Sequence, residues 1–396
     1  MARLTGGRAF AALTFAFTVA MLGTTMPTPL YTIYQERFGF SLSMSTVIFA
    51  VYAVGVLAAL LGVGGWSDTI GRRPMLVAGL AFGIASDLVF LVAGDTAVLL
   101  LGRLLSGLSA GVVVGTATAA VVEAAPPAWH GRASSVATAA NIGGLGLGPL
   151  VAALLVDVFP WPVHLTFVVH LVLALTALTL VLSVQESVPR VEGARPRVQR
   201  PTVPAQARTV FTGAAIASFA AFAVTGFLTA VSPRLVAQTV TAPSALVAVS
   251  VVVALMLSSV VAQVTLNRMP SDRGVDLGCA LLVVGMVVFV MAARAESYPL
   301  MLLAALIAGP GQGLAFAKGV AAVLSRVEAH QRAATSSALF VVGYVAISIP
   351  VVGGGIAAQS WGLQPAAEFF ATIVGLLAVV ALAILVADQR RTLAGR

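Results

Sequence analysis

Charge, lysine and cysteine are scarce in this sequence of 396 residues. Charged residues make up 9% of the chain, whereas a soluble domain carries about 25%. So few charges cannot cover a chain of this length with a water-facing surface, which argues against a soluble protein. The one cysteine, Cys279, excludes an internal disulfide, and its apolar surroundings predict a buried thiol.

Motifs for bond-making chemistry are missing as well. The sequence contains no metal-ligand spacing, no phosphate-binding loop and no catalytic triad order. We therefore expect no enzymatic activity, no metal and no bound cofactor. A net charge of +8 could suggest nucleic acid, but the basic residues are scattered between apolar runs, so no nucleic-acid partner is expected.

Apolar residues, in contrast, make up 59% of the chain and fall into twelve runs long enough to cross a bilayer as helices. These runs lie near residues 10–31, 43–64, 74–93, 97–123, 133–156, 163–184, 209–231, 243–265, 275–293, 298–322, 334–357 and 364–386. The sequence thus predicts an all-α polytopic membrane protein with twelve transmembrane helices. Its predicted parts are an N-terminal six-helix bundle (1–188), a cytoplasmic linker (189–208) and a C-terminal six-helix bundle (209–396).

Arginines set the predicted topology. With twelve spans, 17 arginines fall on the side of the two termini and three on the opposite side. Basic residues favour the cytoplasmic face, so both termini and the linker are expected in the cytoplasm. Arginine greatly outnumbers lysine, and Ala, Gly and Val are frequent, which is typical of a GC-rich bacterial genome. We therefore expect a multi-pass protein of a bacterial inner membrane.

The two halves of the sequence repeat each other. Asp68 lies 204 residues before Asp272, and Pro149 lies 201 residues before Pro350. Matches in the same order at nearly constant offset indicate two related six-helix bundles. Parallel repeats of this kind build transporters whose substrate site lies between the two halves.

The most distinctive local pattern is the turn between the second and third spans, Gly64-Gly65-Trp66-Ser67-Asp68-Thr69-Ile70-Gly71-Arg72-Arg73-Pro74. It resembles the signature G-x-L-A-D-x-x-G-R-[KR] of the major facilitator superfamily, with Trp66 in place of the usual leucine. Glycines allow a tight turn, and an aspartate there can pair with an arginine. The resemblance implies that this turn locks the two bundles together in the outward-open state. The gating residues would be Gly64, Asp68, Gly71, Arg72 and Arg73.

Charged residues near or inside the spans are the next candidates. Glu123 and Arg132 are expected beside this turn, either as further gating charges or as ordinary interfacial charges. Arg103 lies inside the fourth span, in a pattern that resembles the family motif R-x-x-x-G-x-x-x-G, which is linked to proton coupling. An arginine in a bilayer costs at least about 2.5 kcal/mol, so it should face the cavity or have a partner. Asp87 lies at matching depth in the third span, and we predict that the two pair, as a coupling element or as a structural pair.

The fifth span contains a second family pattern. Gly144, Gly148 and Pro149 resemble the signature G-x-x-x-G-P-x-x-G-G of proton-driven antiporters, although Ala152 and Ala153 replace the last two glycines. Small residues let helices approach closely, which is also the simplest alternative explanation. The resemblance implies a conformational role at the interface between the bundles.

Polar and aromatic side chains in other spans are candidates for the substrate cavity. Lys318 of the tenth span could bind an anionic group or extend to the cytoplasmic interface. The full set of cavity candidates is Asn141, Gln263, Gln312, Phe316, Lys318 and Tyr344. The sixth and twelfth spans are peripheral in the family fold, so His164, His170 and Glu368 are expected to have interfacial or structural roles.

The resemblance covers the whole chain and implies alternating access by a monomer in a lipid bilayer, acting on a small-molecule substrate. The fifth-span pattern favours proton-coupled efflux of drug-like or apolar compounds, driven by a proton gradient. Residues 10–31 contain no acid, however, whereas many proton-coupled members have one there. A sugar or metabolite importer or uniporter of the same fold is the first alternative. The second is a transport-inactive ligand sensor.

Overall fold

The computed structural model describes residues 3–188, 201–328 and 331–394. Within these ranges the chain forms α-helices joined by short turns and no β-strand. Twelve helical segments are long and apolar enough to cross a membrane. The predicted all-α architecture with twelve spans is therefore confirmed, and Cys279 is buried as expected.

The helices of the first half have the following bounds: α1 Gly6–Thr25, α2 Tyr31–Phe38, α3 Leu42–Val63, α4 Ser67–Ile70, α5 Arg72–Leu91, α6 Thr96–Glu123, α7 Ala133–Val158 and α8 Pro162–Ser183. Those of the second half are α9 Arg208–Thr239, α10 Ala245–Thr265, α11 Ser271–Arg294, α12 Tyr298–Leu324, α13 Arg332–Trp361 and α14 Leu363–Ala394.

The first span differs from the single helix predicted near residues 10–31. The α-helix ends at Thr25, a 3-10 turn occupies Thr28–Leu30, and α2 continues to Phe38. Proline has no N–H to donate to a helix, and two prolines, Pro27 and Pro29, fall at this break. The span therefore extends about two turns further than its apolar run indicates.

Two compact units make up the structure. The first is Met1–Phe40 with Val51–Arg200, and the second is Ser41–Ala50 with Pro201–Arg396. The sequence division instead assigns 41–50 to the N-terminal bundle. These first turns of α3 group with the second unit, where Arg234 donates a hydrogen bond to the Ser45 hydroxyl at 3.1 Å.

The same helix pairs pack in each unit. In the first unit, α1 packs on α6, α7 and α8, and α5 packs on α6 and α8. In the second unit, α9 packs on α12, α13 and α14, and α11 packs on α12 and α14. The repeat in the sequence thus has a counterpart in the packing of the helices.

Candidate gating and coupling sites

The turn between α3 and α5 carries a cluster of charges centred on Arg72. The Arg72 Nη1 lies 2.5 Å from a carboxylate oxygen of Asp68 and 2.7 Å from the Ser67 hydroxyl. Its Nη2 lies 2.9 Å from a carboxylate oxygen of Glu123, at the end of α6. The Arg72 side chain is 13% exposed, whereas Asp68 is 67% exposed, so the bond to Glu123 is the better shielded of the two.

Glu186, which follows α8, completes this cluster and was not among the predicted residues. Its carboxylate accepts hydrogen bonds from the backbone N–H groups of Arg72 and Arg73 at 2.9 and 3.0 Å. These donors belong to the first turn of α5 and have no partner within the helix, and negative charge is favourable there. Gly71 has a φ of 113°, and a Cβ at that position would collide with Glu186. The glycine therefore permits both the turn and the cap.

Arg132 does not join this cluster. It lies at the end of an exposed 3-10 helix, Pro127–Arg132, and no described residue of the cluster bonds to it. Instead, the Ser187 hydroxyl donates to Glu123 at 2.8 Å. Of the two roles predicted for Arg132, its exposed side chain favours an ordinary interfacial charge over a further gating charge.

Arg72→Gln is expected to reduce transport about fivefold or more, since it removes charge-assisted bonds that carry roughly 1–3 kcal/mol. The fold should persist, because Glu186 still caps α5 through the backbone. Arg73→Gln is the matched control: the Arg73 backbone bonds to Glu186, but no hydrogen bond of its side chain is found among the described residues. Initial transport rates at equal membrane expression measure both. Equal rates in the two variants would contradict a gating role for Arg72.

A buried ionisable pair joins α5 to α8. The Nδ1 of His170 lies 2.8 Å from each carboxylate oxygen of Asp87, and its Nε2 lies 3.0 Å from the carbonyl oxygen of Val19 on α1. The predicted pairing of Asp87 with Arg103 was wrong, and His170, which is 3% exposed, is the partner of Asp87 instead. Equal depth does not fix the rotation of a helix. Ser86 donates to the Gly102 carbonyl on α6, so Asp87, the next residue, faces α8 instead.

Arg103 is fully buried and joins three helices. One guanidinium nitrogen donates to the carbonyl oxygen of Thr24 on α1 at 2.5 Å. The guanidinium carbon lies 4.8 Å from the ring centroid of Tyr52 on α3, a cation–π contact. The prediction that a buried arginine needs partners is met by a backbone carbonyl and an aromatic face.

The glycines of α7 hold it close to α1. A Cβ at Gly144 would lie 2.6 Å from the carbonyl oxygen of Thr18, and one at Gly148 would lie 2.5 Å from that of Leu22. Pro149 has no N–H, so the carbonyl oxygen of Leu145 lacks its usual helical donor. The Thr25 hydroxyl donates to that oxygen at 2.8 Å. The fifth-span pattern thus forms a direct helix contact within the first unit.

Polar candidates of the second unit form two separate groups. The Ser259 hydroxyl donates to the Gln312 side chain at 2.8 Å and accepts from Gln263 at 3.1 Å. The Nζ of Lys318 donates to the carbonyl oxygens of Asn267 and Met269 at 2.6 and 2.8 Å. Lys318 therefore binds the turn between α10 and α11, which corresponds to the Arg72 turn in the first half.

Four aromatic rings gather between α9, α12 and α13. Phe316 packs edge-on against Phe222 and Phe340, with centroid distances of 4.8 and 5.3 Å. Tyr344 packs against Phe222 at 5.8 Å. The three phenylalanines are only half-buried, so the cluster offers aromatic surface beyond its own packing. Phe222 and Phe340 were missed because most aromatic residues of spans serve packing.

The remaining candidates lie apart from these groups. Asn141 is half-buried on α7, and Gly64 is exposed after α3. His164 is exposed at the start of α8, and Glu368 forms a 2.9 Å ion pair with Arg294.

Comparison with known sequences gives one family and several partial relatives. The sequence model of the Major Facilitator Superfamily matches residues 13–349. The chain is 35% identical over 133 residues to the class D tetracycline resistance protein of Salmonella ordonez, covering 32% of this chain and 31% of that protein. It is 24% identical over 146 residues to the quinolone resistance protein NorA of Staphylococcus aureus, covering 37% and 38%. It is 34% identical over 105 residues to monosaccharide-sensing protein 2 of Arabidopsis thaliana, covering 26% and 14%. The chain therefore spans 14% to 38% of the length of these relatives.

Among solved structures, the crystal structure of the human organic anion transporter MFSD10 (TETRAN) superimposes with a TM-score of 0.68. The match covers 96% of this chain and 99% of that protein, at 17% sequence identity. At this identity the likeness shows a shared fold and carries no statement about substrate.

Proposed function

Because the chain belongs to the Major Facilitator Superfamily, a family of membrane transporters, we propose that it exports small apolar molecules in exchange for protons. The observation that carries the proposal is the buried pair Asp87–His170 in contact with α1. Ionisable groups within spans are costly and mark proton or ion pathways. The contact of Gly144 and Gly148 with α1 adds support, since these residues resemble the antiporter signature.

The aromatic cluster around Phe316 supports an apolar substrate. Half-buried rings can pack against aromatic or lipophilic molecules without a charged partner. A cavity of about 370 Å³ in the same unit, bordered by Phe219, Pro350 and Phe370, is also lined by apolar side chains. Two of the partial relatives are named as resistance proteins for tetracycline and quinolones, which agrees with a drug-like substrate.

A flux assay tests this function. Purified protein in liposomes should move lipophilic dyes and antibiotics against their gradient when a pH gradient is imposed, and only downhill without it. A parallel panel of sugars should show no protein-dependent flux. Sugar flux without response to lipophilic compounds would favour the importer or uniporter, to which the partial match with a monosaccharide-sensing protein points. Ligand affinity without any flux would favour a sensor.

The proposed location is a bacterial inner membrane with both termini in the cytoplasm. We expect Cys introduced at Gly131 to resist membrane-impermeant thiol reagents in intact cells, and Cys introduced at Gly94 to react. Both glycines are exposed, and a Cβ at either meets no atom within 4 Å. A Cys279→Ser background removes the native thiol. Labelling of Gly131→Cys from outside, with Gly94→Cys protected, would show that the orientation in the membrane is opposite to the one proposed.

A further inference from the structure

His170 contacts two other helices through its two ring nitrogens. Nδ1 faces Asp87 of α5, and Nε2 faces the backbone carbonyl of Val19 on α1. Asp87 and His170 are each 3% exposed, so water does not replace these bonds freely. The positions of the protons therefore follow from which atoms can donate and which can only accept.

The geometry requires the pair to hold two protons. A carbonyl oxygen only accepts, so Nε2 must carry a hydrogen. The other proton lies between Nδ1 and the Asp87 carboxylate, either on the ring or on the carboxyl group. In both forms the pair is neutral as a whole, and both contacts of His170 are satisfied.

Loss of one proton leaves a single ring hydrogen for two acceptors. A charge-assisted bond to the Asp87 carboxylate is stronger than a bond to a neutral carbonyl. The hydrogen therefore stays on Nδ1, and the lone pair of Nε2 then faces the lone pairs of the Val19 oxygen. This repulsion breaks the contact between His170 and α1.

Helix α1 is closely fitted to the imidazole at this point. A Cβ at Gly23 would overlap the His170 ring, so only glycine lets the ring lie against the helix. Thr24, the next residue, accepts the hydrogen bond of Arg103, and Leu22 contacts Gly148 of α7. A shift of this turn of α1 would therefore reach both α6 and α7.

We propose that Asp87 and His170 form a proton-binding site whose occupancy sets the contact between α8 and α1. The inference rests on the proposed proton coupling and names the site that performs it. Of the helices around the pair, α6 contributes Arg103, which bonds to Thr24, and α1 has no ionisable side chain after Arg8. The remaining charges of α5, Arg72 and Arg73, lie at its other end.

A small cavity of about 10 Å³ lies beside the pair. It is lined by Asp87 and His170 together with the side chains of Ser106 and Ser109. The Ser106 hydroxyl is buried and has no partner among the described residues. One water molecule in this cavity would give the Ser106 hydroxyl a partner.

Hydrogen–deuterium exchange of the full-length protein in nanodiscs, without substrate, tests the proposal. The peptide containing Val19 and Gly23 is followed between about pH 5 and pH 8, where histidine titrates, with correction for intrinsic exchange. In the wild type its protection should fall about tenfold as pH rises, since a bond of this kind is lost. The double variant Asp87→Asn/His170→Gln keeps a donor for Val19 but has no titrating group, so its protection should not vary. His164→Gln, an exposed histidine on the same helix, should behave as the wild type.

If the protection of the wild-type peptide stays constant as pH changes, the proposal is overturned. This measurement does not depend on whether any variant folds. Wild-type pH dependence retained in the double variant would overturn it as well. Flux separates this result from the proposed function. If the double variant still shows flux driven by a pH gradient, the proposed export function is retained, and Asp87 and His170 are rejected as the coupling site. If the protection of the wild-type α1 peptide varies with pH but no flux is driven by a pH gradient, the proton-binding site is supported and the proposed export function is rejected.

Discussion

Gly148→Val is expected to abolish transport and to lower the stability of the first unit by more than about 3 kcal/mol, the upper end of ordinary overpacking. The Cβ would lie 2.5 Å from the carbonyl oxygen of Leu22 and 3.1 Å from the backbone nitrogen of Met26. These are backbone atoms of a neighbouring helix, so no side-chain rotation relieves the overlap. Helix α1 would have to move away from α7, which also breaks the bond from Thr25 to Leu145.

Gly143→Val provides the matched control for this substitution. It lies on the same helix, and a Cβ there meets no atom within 4 Å. The helix propensity cost of valine is therefore shared by both variants, and the difference reports the contact with α1. Thermal unfolding in detergent and flux in liposomes measure the effect. Similar unfolding temperatures for the two variants would show that α1 and α7 are not held as closely as described.

Arg103→Met is expected to eliminate transport driven by a pH gradient and to destabilise the protein by roughly 2–4 kcal/mol. Methionine fills much of the volume but donates no hydrogen bond to Thr24 and offers no cation to Tyr52. The turn of α1 that contacts His170 then loses its hydrogen bond from Arg103 of α6. Arg103→Lys keeps the charge but not the planar group, so we expect a stability between those of the wild type and Arg103→Met, and weak transport.

Arg37→Met is the control for the loss of an arginine. Arg37 also lies over an aromatic ring, that of Phe38, but its side chain is exposed on α2. Exposed substitutions of this kind usually change stability by less than about 0.5 kcal/mol. Unfolding temperature and flux are compared for the two variants. If Arg103→Met is as stable and as active as Arg37→Met, the buried guanidinium contributes neither to stability nor to transport.

The features that the sequence predicted well are local ones. The ion pair of Arg72 with Asp68 follows from a spacing of four residues within one turn. The close packing of α7 follows from small residues on one face of one helix, although the partner helix α1 could not be named. The number of spans and the internal repeat could likewise be predicted, because both can be identified from the order of residues along the chain.

The features that the sequence missed depend on helix rotation and on distant parts of the chain. His170 lies 83 residues from Asp87 and meets it because α5 turns that carboxylate toward α8. Glu186 caps α5 from 114 residues away, because the chain after α8 returns to the start of that helix. Lys318 looked like a cavity residue in a linear reading, yet its ammonium binds the turn between α10 and α11. None of these partners is indicated by spacing or hydropathy.

Proton release on substrate binding is the most direct test of the proposed exchange of substrate for protons. A compound identified by flux is added to the purified wild-type protein in weak buffer at a series of starting pH values, and a pH indicator is recorded. We predict the release of about one proton per bound molecule, and none from the Asp87→Asn/His170→Gln variant at equal occupancy. Binding of the transported compound to the wild-type protein without any proton release would contradict the account.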